Sequence, residues 1–280
     1  MAATVTEFHY GAVTPVAAYL MACLGSALGL RCTVRSLRRG DRGRRNGWLS
    51  LAAVSLGCGI WTMHFIAMMG FRAEGSDIAY DTRLTVLSLL VAIAVTAVGV
   101  FLVGHLGSRP KVLTAAGVFT GLGVAAMHYI GMAAMTVHGS IDYAAPTVAL
   151  SVLIAVVAAT AALWAAVTVR GLWASLGASL VMGVAVTGMH YTGMAAVSVH
   201  VDASGGSYVQ SSVDQIAFLL TMVAGPVVML VVAATVVMFD PDLVLGDDRV
   251  PTLGADAVPA ARGGYGERTS TGNGSAHRYR

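Results

Sequence analysis

Three short segments place histidine beside methionine in an otherwise apolar sequence. They read WTMHFIAMMGF at 61–71, AAMHYIGMAAM at 125–135 and TGMHYTGMAAV at 187–197. In each, methionine precedes histidine, an aromatic residue follows it, and a small residue and a second methionine come three and four residues later. Neutral imidazole is a common metal ligand and a thioether is a soft one, so the pair favours copper, especially Cu(I), over zinc, magnesium or calcium. The segments therefore predict a copper site.

Helical geometry divides the candidate ligands into two groups. At about 100° per residue, a histidine, the glycine seven residues before it and the residues three and four after it lie within about 60° of one direction. The histidine and the later methionine can therefore reach a shared centre, whereas the earlier methionine points about 100° away and suits packing better. The first group is His64, Met68, His128, Met132, His190 and Met194; the second is Met63, Met127 and Met189.

The composition predicts that membrane-spanning helices position these residues. Of 280 residues, 56% are hydrophobic and 11% are charged, and the mean hydropathy is +0.75. This balance is typical of a polytopic membrane protein, in which about 20 apolar residues cross the bilayer as a helix. Seven stretches qualify: 12–30, 48–70, 84–104, 112–137, 147–168, 173–199 and 214–239. We therefore expect an all-α bundle of seven transmembrane helices in the plasma membrane.

The basic residues predict the orientation of the bundle. All of the 17 except Arg72 and Arg83 lie on one side of these spans, which the positive-inside bias assigns to the cytoplasm. The N-terminus is then outside, and because no Lys or Arg precedes the first span, that span does not resemble a cleaved signal peptide. The arginine-rich loop around 31–45 is expected to be a solvated element that sets topology. The net charge of +3 requires no nucleic-acid partner.

An internal repeat sets the architecture. The three histidines are 64 and 62 residues apart, and each period contains one plain span and one motif span. The chain is therefore three two-helix repeats plus a seventh helix, and the motif helices run in the same direction with their histidines at one depth. That depth is roughly 9 Å inside the outer boundary, so we expect a shallow site reachable from outside. The expected divisions are 1–11, 12–205 (spans 1–6), 206–239 (span 7) and 240–280 (a disordered cytoplasmic tail).

Several alternatives remain open on these residues. A lone intramembrane histidine that bonds a neighbouring helix is structural, and methionine at helical spacing often fills a core, but three copies in register favour function. Haem is a chemical competitor, although its two axial ligands fit a threefold repeat less well. A copper transporter or channel would need donors across the whole bilayer, and the inner halves of the motif spans offer few beyond Cys58. A copper or haem redox enzyme is a further alternative, but no catalytic constellation is evident, so we expect a non-enzyme.

The motif resembles a known family. MHYT at Met189–Thr192, with MHYI at Met127–Ile130 and MHFI at Met63–Ile66, is similar to the signature of the MHYT-domain integral membrane sensors. The resemblance covers about residues 12–205. It implies that copper is bound through Met63, His64 and Met68, through Met127, His128 and Met132, and through Met189, His190 and Met194. It also implies sensing of a diatomic gas such as oxygen, carbon monoxide or nitric oxide.

The sequence departs from the family pattern in two respects. Only the third copy keeps the threonine, and the first has Phe65 in place of tyrosine. Many members carry a cytoplasmic signalling domain after the membrane module, whereas here a Gly-, Pro- and Ser-rich segment follows Phe239. We therefore expect the signal to pass to a separate cytoplasmic signalling protein.

Overall fold

Seven helices, each long and apolar enough to cross a membrane, make up most of the described chain, which confirms the predicted all-α membrane bundle. The structure is a computed structural model and describes residues 4–37, 42–74, 76, 78–169, 171–201 and 212–240. The helices are α1 (Val13–Ser36), α2 (Arg42–Met69), α3 (Thr82–Leu106), α4 (Pro110–Ala133), α5 (Ala145–Thr168), α6 (Leu172–Met194) and α7 (Ser212–Met238). Residues 1–240 cluster as one compact unit. Most of the predicted 240–280 tail, and the boundary at 205, lie outside the described residues.

Local sequence signals explain several helix ends. The Asp81 side chain accepts a hydrogen bond of 2.8 Å from the backbone N–H of Leu84, which caps the first turn of α3. Proline occupies the first turn of α4 and of α5, where its missing N–H costs nothing. Gly107, with a φ of 81°, ends α3 in a conformation that other residues rarely adopt.

In the part of the chain that the structure describes there are six short strands, which were not predicted from the sequence. They are β1 (Val5–Thr6), β2 (Arg72–Ala73), β3 (Ala79–Tyr80), β4 (Met135–Thr136), β5 (Gly139–Tyr143) and β6 (Val197–Val201). β1 pairs with β2, β3 with β4 and β5 with β6, always antiparallel. Each pair joins the segment before a plain helix to the segment after the next motif helix. The repeat unit is therefore strand, plain helix, motif helix, strand, and all three pairs lie on the side where the motif helices end, which we call the outer side.

The helices of the three units form a closed ring. Neighbours in sequence pack against one another from α1 to α6, and α6 packs back on α1. The motif helices α2, α4 and α6 meet near the centre, while α7 lies outside the ring along α2. Consequently 78% of the apolar 18-residue stretch of α2 is buried, whereas the buried share of the equivalent stretch is 44% in α4 and 28% in α6.

Helix α7 is held at both ends by side chains from the ring. At its outer end, Arg72 donates a hydrogen bond to the Gln215 side chain, and Phe218 stacks on Tyr80 with ring centroids 6.1 Å apart. At its inner end, the guanidinium of Arg35 forms an ion pair of 2.6 Å with Asp240, and both side chains are largely buried. Arg35 was expected only to set topology, so this pairing adds a structural role to the arginine-rich region.

Candidate metal centre

The three motif histidines meet at the centre of the ring. His64, His128 and His190 are each 1% exposed. The Nδ1 atom of His64 lies 3.0 Å from that of His190 and 3.1 Å from that of His128. The remaining pair, His190 and His128, is 3.4 Å apart. The structure thus brings together the three residues that the sequence placed at one depth, and all three present the same ring nitrogen to one point.

The ring planes show an approximate threefold arrangement. The centroids of the imidazoles are 4.9, 4.9 and 5.1 Å apart, and the planes cross at 81°, 77° and 89°. Each imidazole also meets the aromatic ring that follows it in sequence edge-on, at 4.7 to 5.0 Å. The three imidazole rings are therefore related by an approximate threefold axis. This symmetry follows from the repeat, because equivalent residues on co-directional helices occupy equivalent positions.

This geometry suits a single metal ion. A point equidistant from the three Nδ1 atoms would lie about 1.8 Å from each, and a point slightly out of their plane would lie at about 2.0 Å, the length of a zinc–imidazole bond. A neutral imidazole carries one proton, so each Nδ1 is either a donor or an acceptor of a hydrogen bond. Among three Nδ1 atoms that all face one another, at least one pair must therefore consist of two donors or two acceptors. A cation at the shared point would accept all three lone pairs. Among the described residues, this is the group of His, Cys, Asp and Glu whose donor atoms are close enough to hold a metal.

The far nitrogens of two histidines lie against glycine. A Cβ atom added to Gly131 would come within 2.5 Å of His64 Nε2, and one added to Gly193 would come equally close to His128 Nε2. These are the glycines three residues after the next histidine in the ring. Both Nε2 atoms are buried without a hydrogen-bond partner among the described residues. Close contact with glycine, and not a hydrogen bond to an oxygen of a described residue, therefore holds these two rings in orientation.

The methionines four residues after the histidines lie together on the outer side of the triad. Met68, Met132 and Met194 belong to one buried cluster with residues from the strands and their connections. Its other members are Phe71, Ala73, Ile78, Met135, Val197 and Val199. The triad was expected to be reachable from outside. Instead, this apolar layer covers it, because the strand pairs fold over the ends of the motif helices.

The methionines that directly precede the histidines lie elsewhere. Met63 packs with Ala18, Ala22 and Ala67 at the contact of α1 and α2. Met127 and Met189 belong to the large core cluster that includes Trp61 and Phe65. This separation agrees with the helical geometry, which turned these side chains away from the shared face. Their role as metal ligands, implied by the family resemblance, stays a prediction.

The glycines seven residues before the histidines contact the plain helices rather than the centre. Gly57 lies against the backbone of Ile93 in α3, and Gly121 lies against the backbone of Val156 in α5. Gly183 occupies the equivalent place beside α1, where it meets the side chains of Tyr19 and Cys23. The stripe predicted to face one centre therefore serves two contacts: its inner end packs a neighbouring helix and its outer end forms the histidine layer.

A cavity of about 50 Å³ lies directly inward of the triad. The residues four and eight positions before the histidines contribute to its wall. These are Ile60, Val124, Val186, Leu56, Thr120 and Met182. Among the described residues, the other polar ones that line it are Ser26 and Thr96, and none of its lining side chains is ionisable. About 10–15 Å³ of such space holds a water-sized molecule, so the cavity is large enough for a small ligand.

The aromatic residues that follow the histidines have unequal surroundings. The Tyr129 hydroxyl lies 2.7 Å from the Ser151 hydroxyl of α5, which satisfies both groups. Phe65 has no hydroxyl, and the neighbouring Trp61 donates to Ser88 of α3 instead, at 2.8 Å. The Tyr191 hydroxyl is buried and has no hydrogen-bond partner among the described residues. The tyrosine hydroxyl next to the histidine is therefore hydrogen-bonded in the second unit, but it has no partner among the described residues in the third.

The repeat also matches a known protein family. The model of a family described as MHYT, a bacterial signalling protein N terminal repeat, matches residues 57–116 and 121–179. The two matches begin at the glycines that precede the first and second histidines, and the second ends before the third motif. No solved structure matches the chain.

Curated relatives are signalling proteins. The bifunctional diguanylate cyclase/cyclic di-GMP phosphodiesterase MucR of Pseudomonas aeruginosa is 44% identical over 154 residues, which cover 53% of this chain and 22% of MucR. The cyclic di-GMP phosphodiesterase NbdA of the same organism is 38% identical over 207 residues, covering 71% of this chain and 26% of NbdA. The signaling protein YkoW of Bacillus subtilis is 28% identical over 218 residues, 73% of this chain and 26% of YkoW. The chain therefore spans about a quarter of the length of these relatives.

Proposed function

The chain belongs to the MHYT family of bacterial signalling-protein repeats, and we propose that it is a copper-binding membrane sensor whose metal is held by His64, His128 and His190. The observation that carries the proposal is the convergence of three Nδ1 atoms, 3.0–3.4 Å apart, at a buried point. Buried imidazoles that fail to pair are costly, and a bound cation removes that cost. Copper is the metal that the surrounding thioethers of Met68, Met132 and Met194 favour.

The protein's own residues hold and isolate the site. The histidines supply three nitrogens, Gly131 and Gly193 fix the orientation of two rings, and the methionine layer keeps water away from the outer face. When bound, copper supplies a centre that changes charge and can take a small neutral ligand. The mostly apolar cavity about one helical turn inward of the histidines gives such a ligand, for example a diatomic gas, a space near the site.

Helix α7 offers a path for the signal. His64 stands on α2, the motif helix along which α7 packs, and the core cluster that contains Trp61 and Phe65 includes Leu219 and Val223 of α7. A shift of α2 caused by a change at the metal would therefore move α7, whose inner end is joined to α1 through Arg35 and Asp240. We propose that a cytoplasmic signalling protein, of the kind named among the relatives, reads this movement.

The cavity favours a sensor over a copper transporter. A transport path requires donors along its length, whereas the space inward of the triad is lined mainly by aliphatic side chains, with three hydroxyl-bearing residues and two thioethers, Met182 and Met189, that both belong to α6. Copper flux in proteoliposomes separates the two functions. We expect bound copper without net flux, and copper-dependent flux that the His128→Ala change abolishes would instead assign a transporter.

Metal analysis of purified protein tests the proposed site. Wild-type protein is compared with the His64→Ala, His128→Ala and His190→Ala variants, and with His138→Ala as a matched control, because His138 is exposed and lies outside the triad. We expect copper in the wild type and the control, and a loss of about tenfold or more in each triad variant. Wild-type protein without copper, or equal copper in all five proteins, would contradict the proposal.

A further inference from the structure

The three seams between motif helices are not equivalent. In the seams α2–α4 and α4–α6, a glycine lies against the far nitrogen of the preceding histidine (Gly131 for His64, Gly193 for His128). The equivalent residue in the third seam, between α6 and α2, is Ala67. Since a Cβ in the first two seams would come within 2.5 Å of the ring nitrogen, the methyl group of Ala67 rules out the same close approach by His190. We call this contact of α6, α2 and α1 the Ala67 seam.

The N-terminal segment covers the Ala67 seam on its outer side. Phe8 stacks on Tyr191 with ring centroids 5.5 Å apart, and the backbone N–H of His9 donates to the carbonyl of Gly70 at 3.1 Å. These contacts place Glu7 at the end of α2 beside α6. Its side chain is half-buried and lies near Tyr191. A carboxylate is thus held at the outer edge of the one seam that glycine does not close.

Hydroxyl groups without partners extend the polar character of the seam inward. Thr14 of α1 is 7% exposed, and its hydroxyl has no hydrogen-bond partner among the described residues. Both this hydroxyl and the Glu7 carbonyl lie against Gly70, within 2.6 Å of where a Cβ would stand. The buried Tyr191 hydroxyl is likewise unpartnered and belongs to the residue next to His190. Unsatisfied buried oxygens of this kind mark places where water or an ion binds.

Acidic residues near the other two seams have different roles. The Asp81 carboxylate caps α3. Asp142 pairs with His200 at 3.2 Å on an exposed part of the β5–β6 pair, where its side chain is 69% exposed. Glu7, in contrast, has no hydrogen bond or ion pair with any residue that the structure describes.

From these observations, we propose that the Ala67 seam is the entrance through which a hydrated metal cation reaches the triad from the outer side. Glu7 is its first oxygen ligand, and the Thr14 and Tyr191 hydroxyls follow. Carboxylate and hydroxyl oxygens are hard donors suited to a hydrated cation, whereas the methionine layer over the centre presents thioethers and apolar side chains. The metal's destination rests on the proposed copper site, but the existence of a polar entrance does not.

Thiol labelling tests the entrance without reference to metal. The three native cysteines, Cys23, Cys32 and Cys58, are replaced by alanine, and Tyr191→Cys is compared with Tyr129→Cys, the equivalent position where Ser151 closes the seam. Intact cells are treated with a membrane-impermeant cationic thiol reagent and with its anionic counterpart. We expect the Tyr191→Cys variant to react about tenfold faster with the cationic reagent than the Tyr129→Cys variant does. The added Glu7→Gln change should lower the cationic-to-anionic rate ratio severalfold.

Either of two labelling results would overturn the entrance: equal rates at the two positions, or a charge ratio that the Glu7→Gln change leaves unaltered. Because an introduced cysteine can disturb folding, a second measurement uses the native aromatic residues. Purified metal-free protein is mixed with Cu(II), and the rate of uptake is compared for wild type, Glu7→Gln and Glu74→Gln. Glu74 is the matched control, since it is an exposed acid on the same outer side.

We expect Glu7→Gln to slow copper uptake by about threefold or more while equilibrium occupancy stays unchanged, and Glu74→Gln to behave as wild type. Equal uptake rates for the two variants would contradict a role for Glu7. If wild-type protein takes up no copper, the proposed function fails, and the labelling rates still decide whether the Ala67 seam is a polar entrance.

Discussion

The glycines of the motif helices act in two layers that differ in what they touch. In the inner layer, Gly57 and Gly121 contact backbone atoms of the neighbouring plain helices. In the outer layer, Gly131 and Gly193 contact the imidazole rings of His64 and His128. Backbone cannot move without moving a helix, whereas a ring can turn about its own bonds. The inner layer therefore controls whether the bundle forms, and the outer layer controls whether its centre can bind a metal.

A change in the inner layer should have the largest effect. A Cβ at Gly121 would meet the Val156 nitrogen at 2.7 Å and the Ala155 carbonyl oxygen at 2.8 Å, in addition to the Val156 Cα. We expect Gly121→Ala to separate α4 from α5 and to lower the free energy of unfolding by about 1–3 kcal/mol. Thermal unfolding of purified protein in detergent measures this loss. Gly177→Ala is the control, because no heavy atom lies within 4 Å of its Cβ position; equal unfolding midpoints for the two variants would refute the inner-layer role.

The outer layer should respond in the site and not in the fold. A Cβ at Gly193 would lie 2.5 Å from His128 Nε2 and 3.1 Å from its Cδ2, so the ring must turn and carry Nδ1 away from the other two histidines. We expect Gly193→Ala to reduce copper affinity by about 10–100-fold, with an unfolding midpoint near that of the wild type. Gly188→Ala, on the same helix with open space at the Cβ position, controls for helix propensity. Wild-type affinity in Gly193→Ala would show that the ring contact is unimportant.

The sequence was sufficient for the helical layer of the structure and for the meeting of the histidines. Continuous apolar runs gave seven spans, and the even number of spans in each repeat placed the three motifs at one depth. The predicted ends of spans four and six, 137 and 199, lie beyond the observed ends at Ala133 and Met194. The apolar residues that follow belong to strands β4 and β6. In β6, alternation of valine with Ser198 and His200 was a signal for a strand that the hydropathy window had averaged away.

Other features had no signal in a single sequence. The ion pair of Arg35 and Asp240 joins residues 205 positions apart, and the arginine lies among others that fit the topology rule without it. The choice of Nδ1 over Nε2 depends on how each ring rotates against the glycine of the next unit. Periodicity gives the face on which a residue lies, but it does not give the neighbour that this face meets, and the inner-layer glycines were misplaced for that reason.

Removing the difference between the seams should have a smaller effect. Ala67→Gly makes the third seam like the other two, which lets α6 and α2 approach more closely around His190. We expect a change of no more than about threefold in copper affinity, since the Nδ1 atoms already meet, together with a loss of stability of about 1 kcal/mol from glycine in a helix. Equilibrium copper titration measures the first quantity and thermal unfolding the second. A tenfold gain in affinity would mean that Ala67 strains the centre.

The smallest effect concerns the acid at the Ala67 seam. Burial raises the pKa of the Glu7 carboxyl above its usual range. The carboxyl therefore loses its proton at a lower pH in the unfolded chain, where its pKa is about 4.3, than in the folded protein. The stabilising contribution of Glu7 is complete below that value and is lost as the pH rises through the higher folded pKa. The unfolding midpoint of wild type relative to Glu7→Gln should therefore fall as the pH rises above about 4.3, modestly because the side chain is half exposed. Exposed Glu74 provides the comparison, and an equal slope for the Glu74→Gln variant would show that the Glu7 carboxyl is no more desolvated than a surface acid.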